Sequence, residues 1–541
     1  MRLSIAQHDG LWLDELHTAW TTGNGWSTLW ERAFAGNQSG WYFGLVWIVR
    51  GVLGDSVLAL RAVSIAADTL LILVTAHLTW SWTRSTVGTC LAAWLIATDS
   101  QFVFYGTEAR TYALVQLVSV IQVLTFWSWL SRFRSTEALL GTNRPIRWRG
   151  SGLLLSVVTA MLFALHSTSV WLPLAEVIFF MGCWFVNRFQ VATNLDWQGA
   201  WKSAILIALL TALFCVPALM EANSIFGRRN NWLPVSSGAM LLKEFRWPIL
   251  LWLVLPMILV AIVGAFEGTM ATQWRGTQFS QRNFGRTLFV LMWALVPIGS
   301  VWLLDHWQIA PLALSRYTLV GSAALPIFCG LCASTPRNGF GRWAVAGTLI
   351  GSSLFHSPLI HALGQHPMSV QLRFEDWHSP IAEINNRADK QTHPVILFAN
   401  LIEDVQAFER TDGAFQEYLL FPIQGLDRVE TTHRKIMSAP TLTRPHFRHR
   451  DIQLMQEQGG GWLIIRADAD TANLLQEITD ELRDWPTRPE QSSQALERDA
   501  DKQPFRAFVP QIRFAQFPNS NVHLVSVDYP ENSAETSQSN Q

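Results

Sequence analysis

Charge is scarce in this chain: Asp, Glu, Lys and Arg make up 15% of its 541 residues, against about 25% in a soluble globular protein. The deficit excludes a single soluble domain, and a near-neutral total of −1 argues against a nucleic-acid binder. Cysteine is also rare. All five cysteines, Cys90, Cys183, Cys215, Cys329 and Cys332, fall at or before residue 332, so the C-terminal part holds no disulfide in any compartment. No His or Cys spacing of the metal-ligand kind occurs, and Cys329 and Cys332 read as small core residues without His or carboxylate neighbours. Internal repeats are absent too.

Apolar residues are abundant instead: half the chain is hydrophobic and 27 residues are Trp. The charges are unevenly placed. Residues 361–541 carry 26 acidic and 17 basic groups, net −9, whereas residues 1–360 carry 15 and 23, net +8. Two different solvents are implied, so the fold class expected is an α-helical polytopic membrane bundle with a small C-terminal α/β soluble domain.

A bilayer core takes about 20 mostly apolar residues per helix, because no water is there to satisfy bare backbone. Spans are expected near 57–81, 86–104, 110–131, 151–166, 168–187, 201–220, 247–266, 287–304, 317–333 and 343–360. The shorter run 41–53 carries Arg50 and reads as a helix lying along the interface, giving about ten to eleven membrane helices. Arginines such as Arg84, Arg132, Arg188, Arg275 and Arg337 recur in one alternating set of loops, which marks that face as cytoplasmic. The opposite face then receives the N-terminal stretch, the turns near 105–110 and 166–168, the loops 221–246 and 305–316, and the C-terminal domain. Met1 to Gly10 offers neither a basic nor an apolar signal to carry it across, so either a helix lies upstream of this start or the first span pulls a short polar tail across. The expected divisions are an external loop at 1–56, a bundle at 57–360, an external α/β domain at 361–530 and a disordered tail at 531–541.

The external face collects chemistry-bearing residues: the adjacent carboxylates Asp14 and Glu15, then Glu108 and Arg110, His166 at a span end, and Arg316 beside Tyr317. A carboxylate at a low-dielectric boundary suits a general base, and an arginine suits a phosphate. Plainer readings are loop charges for Asp14 and Glu15, an interfacial ion pair for Glu108 and Arg110, a satisfied span-end residue for His166, and a snorkelling anchor for Arg316 and Tyr317. Within the spans, Arg61 and Asp68 stand two turns apart on one face and are expected to pair; Glu176 sits mid-span.

Five short runs appear in order: Trp12 to Glu15 (WLDE), Leu60 with Arg61, Thr107 to Leu114 (TEARTYAL), Ser315 to Tyr317 (SRY) and Glu375 to Trp377 (EDW). Together they resemble bacterial relatives of protein mannosyltransferases and aminoarabinose transferases, integral-membrane glycosyltransferases of the C-type fold. The resemblance implies transfer of a sugar from a polyprenyl-phosphate carrier to an external glycan, lipid or protein acceptor, with inversion, in a bacterial inner membrane whose active face is periplasmic. It places the catalytic acids at Asp14, Glu15 and Glu108, the lipid-phosphate contacts at Arg110, Arg316 and Tyr317, and acceptor or supporting roles at His17 and His166. No cofactor is required if arginines hold the phosphate; a divalent ion shared by Glu15, Glu108 and that phosphate is the alternative. Where relatives carry His-Pro-Pro, this chain reads Asn37 to Gly40 (NQSG). A transporter and an inactive membrane scaffold are the rival readings.

C-terminal periodicity predicts helices at 375–388, 402–409 and 469–484 and strands at 394–400, 461–466 and 522–528. Gly459 to Gly461 precedes a strand and opens no helix, so it is not a phosphate loop.

Overall fold

The computed structural model describes residues 2–36, 38–133, 150–189, 196–226, 247–266, 278–309, 315–356, 373, 375–387, 390–401, 413–430, 436–438, 447–467, 471–484, 510–515, 517 and 520–529. The chain forms two compact units, Met1–His8 with Asn37–Val370, and Asp9–Gly36 with Gln371–Gln541. Most of the loop 221–246, the predicted helix at 402–409 and the tail at 531–541 lie outside the described residues.

The first unit is helical: α1 (Arg2–His8) in one segment; then, after α2 (Leu13–Thr21) and α3 (Trp26–Ala35) of the other unit, α4 (Gly40–Leu53), α5 (Val57–Thr83), α6 (Thr86–Thr98), α7 (Ser100–Gly106) and α8 (Tyr112–Ser131). It continues through α9 (Ser151–Leu165), α10 (Trp171–Phe189), α11 (Trp197–Phe226), α12 (Trp247–Phe266), α13 (Gln278–His306), α14 (Ala324–Ala333) and α15 (Gly339–His356). Among the described residues six helical stretches are long and apolar enough to cross a membrane, or seven if the bent pair α6 and α7 forms one span. The run at 151–166 folds as the 15-residue α9, and the run at 86–104 divides at Asp99. That break has a local cause. The Asp99 carboxylate accepts from the backbone N–H of Gln101 at 2.9 Å and of Phe102 at 3.4 Å, so it caps a new helix inclined 60° to the first.

Helix α8 is the axis of this unit, buried along nearly its whole length. Outer helices carry their apolar side chains outward: Ile205, Leu206, Leu209, Leu213 and Met220 of α11 are all exposed. Water would not tolerate so continuous an apolar face, whereas hydrocarbon does. Pro217, Pro256 and Pro297 lie inside helices α11, α12 and α13, as bilayer-embedded helices allow. Helices α6 and α14 cross at a glycine pair, for a Cβ on Gly88 would stand 2.3 Å from the carbonyl oxygen of Gly330.

Asp68 corrects one expectation. Its partner is Arg2 of α1 rather than Arg61, and Arg2 also donates to the carbonyls of Ala97 at 2.9 Å and Ile96 at 3.2 Å. Arg61, fully buried, donates to the carbonyl of Ala6 at 2.9 Å. Two arginines therefore tie the short α1 to the bundle.

The second unit holds α2 and α3 together with a five-stranded mixed sheet of order β2-β1-β3-β5-β4. Its strands are β1 (Val395–Phe398), β2 (Ile436–Ser438), β3 (Gly460–Arg466), β4 (Gln511–Ala515) and β5 (Val522–Asp528). Strand β1 runs parallel to β2 and β3, and β5 runs antiparallel to β3 and β4. Helices α16 (His378–Asn386), α17 (Gly413–Leu419), α18 (His449–Glu457) and α19 (Thr471–Asp484) complete it. Ile396, Phe398, Leu463, Ile465, Val525 and Val527 form the sheet side of a core closed by Ile452, Met455, Ile478 and Leu482. Segment 9–36 is integral to this unit, although more than 330 residues separate it in sequence from the rest.

Candidate functional site

The candidate residues divide between the two units. Asp14, Glu15 and His17 belong to the second, and Glu108, Arg110, His166, Arg316 and Tyr317 to the first.

In the second unit, Asp14 and Glu15 stand in the first turn of α2, where carboxylates complement the unpaired N–H groups of a helix start. Their environments differ. Glu15 is fully buried and lies 3.5 Å from Nε of Arg373, whereas Asp14 keeps part of its surface. Arg373 donates from Nη1 to Asp9 Oδ2 at 2.7 Å and from its backbone N–H to Oδ1 of the same carboxylate at 3.2 Å. Glu375 accepts from the backbone N–H of Leu13 at 2.8 Å, from Trp377 Nε1 at 3.0 Å and from Arg466 Nε at 2.6 Å. Asp9, Glu15, Glu375 and Arg373 are all buried. Buried charges persist only when paired and hydrogen-bonded, and these four residues, with Arg466, form a largely buried ion-paired network. Gly10 makes room for it: a Cβ there would stand 2.7 Å from the carbonyl oxygen of Glu375.

His17 is buried among rings, with centroids 5.7 Å from Trp20, 6.0 Å from Tyr418 and 5.2 Å from Phe421. Arg32 covers the Trp20 ring at 4.4 Å, donates to the Trp20 carbonyl at 2.7 Å and pairs with Glu417.

In the first unit, the turn between α7 and α8 carries Glu108, fully buried, and Arg110, nearly so. The N–H of Arg110 donates to the carbonyl of Glu108 at 2.8 Å, and Ser64 Oγ donates to the carbonyl of Arg110 at 3.0 Å while meeting Tyr42 Oη at 2.9 Å. Gly106 is needed here because a Cβ would lie 2.7 Å from Cγ of Asp68.

His166 follows α9. Its ring lies 6.1 Å from Tyr112 and 5.8 Å from Tyr317, and Nδ1 meets Thr168 Oγ1 at 2.8 Å. Arg316 Cζ stands 5.5 Å from the Tyr317 ring. Surrounding protein, then the positive charges of Arg316 and Arg110, lower the His166 pKa to about 4. The imidazole is therefore neutral at pH 7. The structure thus brings Arg110, His166, Arg316 and Tyr317 into one neighbourhood. Among the described residues no group of three or more His, Cys, Asp or Glu is arranged to hold a metal ion.

Asp9, Arg373 and Arg466 went unnoticed in the sequence. The available signal was Arg373 two residues before Glu375, opposite charges flanking a phenylalanine where a loop charge would serve no purpose.

No family model and no curated protein matches the chain. Among solved structures it is similar to the archaeal oligosaccharyltransferase AglB from Archaeoglobus fulgidus, in complex with an inhibitory peptide and a dolichol-phosphate, at 11% identity and a TM-score of 0.48 over 85% of this chain and 66% of that one. A second Archaeoglobus fulgidus oligosaccharyltransferase structure, a complex with Zn and sulfate, gives 10% identity and a TM-score of 0.44 over 85% and 64%. ArnT from Cupriavidus metallidurans, bound to undecaprenyl phosphate, gives 10% identity and a TM-score of 0.33 over 97% and 95%. This chain spans less than two thirds of the length of the first two. An oligosaccharyltransferase and an ArnT are thus among its structural neighbours; the likeness is remote and carries no activity with it.

Proposed function

We propose that the protein is an integral-membrane glycosyltransferase that moves a sugar from a polyprenyl-phosphate carrier to a hydroxyl of a glycan, lipid or protein acceptor on the periplasmic side of a bacterial inner membrane. The observation that carries the reading is the gathering of Arg110, His166, Arg316 and Tyr317: the Tyr317 ring stands 5.8 Å from the His166 ring and 5.5 Å from Arg316 Cζ, and Thr111, next to Arg110, donates to the carbonyl of Leu165, next to His166, at 3.4 Å. Two guanidinium groups at the ends of apolar helices match a phosphate whose isoprenoid tail lies in the bilayer.

In this reading Asp14, the accessible member of the acidic pair, removes the acceptor hydroxyl proton as its oxygen attacks the anomeric carbon. The bond from that carbon to the phosphate oxygen breaks, the configuration inverts, and Arg110 and Arg316 offset the charge that develops on the leaving lipid phosphate. Glu15 supports Asp14 while paired with Arg373. Glu108 shapes the arginine-bearing turn. His17 packs the α2 segment, and His166 lines the phosphate region. In the alternative, Glu15 and Glu108 would hold a divalent ion that would offset the phosphate charge; Glu15, buried against Arg373, fits an ion pair better than an open metal ligand.

The test uses full-length protein in lipid nanodiscs with a panel of radiolabelled prenyl-phospho-sugars and membrane extract as acceptor source. Transfer from at least one donor is expected, insensitive to EDTA, with Asp14→Asn lowering it by about 10²- to 10⁴-fold. Undiminished transfer by Asp14→Asn removes the assigned base. Sugar-lipid flux across proteoliposomes without any transfer would instead establish the transporter, and neither activity the scaffold.

A further inference from the structure

The two residues that flank Asp14 are held from the same short segment. The N–H of Leu13 donates to Glu375 Oε2 at 2.8 Å, and Glu15 lies 3.5 Å from Arg373 Nε. Arg373 and Glu375 are two apart in sequence, each is buried, and each has a second anchor: Asp9 for Arg373 at 2.7 Å and Arg466, the last residue of β3, for Glu375 at 2.6 Å. Asp14 alone of the three consecutive residues Leu13, Asp14 and Glu15 keeps surface.

We propose that Arg373 and Glu375 are positioning residues that seat the first turn of α2 on the C-terminal sheet, so that the C-terminal domain holds the carboxylate of Asp14 in its working orientation. The inference rests on the reading of Asp14 as the base and deepens it by giving the C-terminal domain a task in the same reaction. Three acidic groups (Asp9, Glu15 and Glu375) share two arginines (Arg373 and Arg466), all largely removed from water, and loss of either cation takes an ion-pair partner from a buried carboxylate. Such a network has one satisfied arrangement, which is what orientation of a reacting group requires; a misplacement of about 1 Å can lower a rate by about 10²-fold.

The experiment compares Arg373→Met and Arg373→Lys with the unmodified full-length protein in nanodiscs, by steady-state donor transfer and by hydrogen exchange of the amides of α2. For Arg373→Met the expected results are kcat lower by about 10²-fold and donor KM within about twofold, because Arg373 and Glu375 are assigned no contact with the donor phosphate. Exchange in Leu13–Thr21 rises at least ~10-fold while α8 stays protected, and Arg373→Lys recovers part of each effect. A variant that merely lowered the active fraction would lower kcat without raising exchange selectively in α2. Unchanged kcat, or unchanged exchange of the α2 amides, overturns the proposal. Faster exchange in a protein whose unmodified form transfers no sugar keeps the seating and overturns the glycosyltransferase reading instead.

Discussion

A methyl group on Gly36 would stand 2.2 Å from Nε2 of His17, closer than any real side-chain carbon approaches a ring nitrogen. The backbone at Gly36 has φ −85°, which any residue adopts, so the glycine serves the close approach rather than the turn. It lets α3 end against the imidazole while Trp20, Tyr418 and Phe421 close its other sides. Gly36→Ala is therefore expected to destabilise the second unit by about 1–3 kcal/mol through overpacking. Combining it with His17→Ala should give less than the sum of the two single effects, since removing the ring vacates the space the methyl needs. Exchange protection of the α2 amides in the full chain measures both, and strict additivity would remove the contact as the cause.

Asp68 and Arg2 give a second test. Removing one member of a buried ion pair destabilises by about 3–5 kcal/mol, because the other charge stays behind in an apolar surround. A double-mutant cycle over Arg2→Met and Asp68→Asn should show a coupling of at least about 1 kcal/mol, whereas a cycle over Arg61→Met and Asp68→Asn should show much less. Thermal unfolding in nanodiscs measures both cycles. Equal coupling would mean that Arg61, two turns away on the same helix, shares the carboxylate.

That pair also shows where sequence reading stops. Arg61 and Asp68 lie on one face of α5, and their spacing made them the natural partners; nothing local reveals that α1 folds back to offer Arg2. Strands β1, β3 and β5 were legible because they sit inside the sheet and are buried nearly throughout, which leaves continuous apolar runs. Strands β2 and β4 were missed, being edge strands: β2 has three residues, and β4 reads Gln511, Ile512, Arg513, Phe514, Ala515 with no residue fully buried. The break at Asp99 escaped notice because one capping carboxylate inside an apolar stretch resembles a tolerated polar residue. Residues near one another along the chain, such as Glu108 with Arg110 or Arg316 with Tyr317, were found as candidates. The network of Asp9 with Arg373 was not, since 364 positions separate its members.

Trp293 anchors the turn that presents Arg316. Its fully buried indole donates from Nε1 to the carbonyl of Val320 at 2.6 Å, and its own carbonyl oxygen faces Gly321, where a Cβ would approach to 2.9 Å. Trp293→Phe keeps most of the ring but leaves the Val320 carbonyl without this donor, a loss of about 1–3 kcal/mol. Because Val320 belongs to the helical turn Ser315–Gly321, the expected functional effect is a weaker grip on the donor: KM rising by about threefold or more, with kcat changed less. Steady-state transfer kinetics measure the split, and a fall in kcat at constant KM would detach Trp293 from phosphate binding.

His166 reports on the arginines directly. Its folded-state pKa of about 4 lies below the ordinary 6.5, so between those values the unfolded chain binds more protons than the folded one. The sign follows: folding stability from this group is complete above about pH 6.5 and declines as the pH falls toward 4. Exchanging Arg316 for Met removes a neighbouring cation and should raise the His166 pKa. An anion placed between Arg110 and Arg316 should do the same, because negative charge favours the imidazolium. Titration of histidine-labelled protein in nanodiscs by NMR, with and without a short-chain prenyl phosphate, reads both shifts against the unmodified protein. An upward displacement in each case is expected. If the prenyl phosphate left the His166 pKa in place while Arg316→Met raised it, the lipid phosphate would bind elsewhere, and Arg110 and Arg316 would lose the role assigned to them.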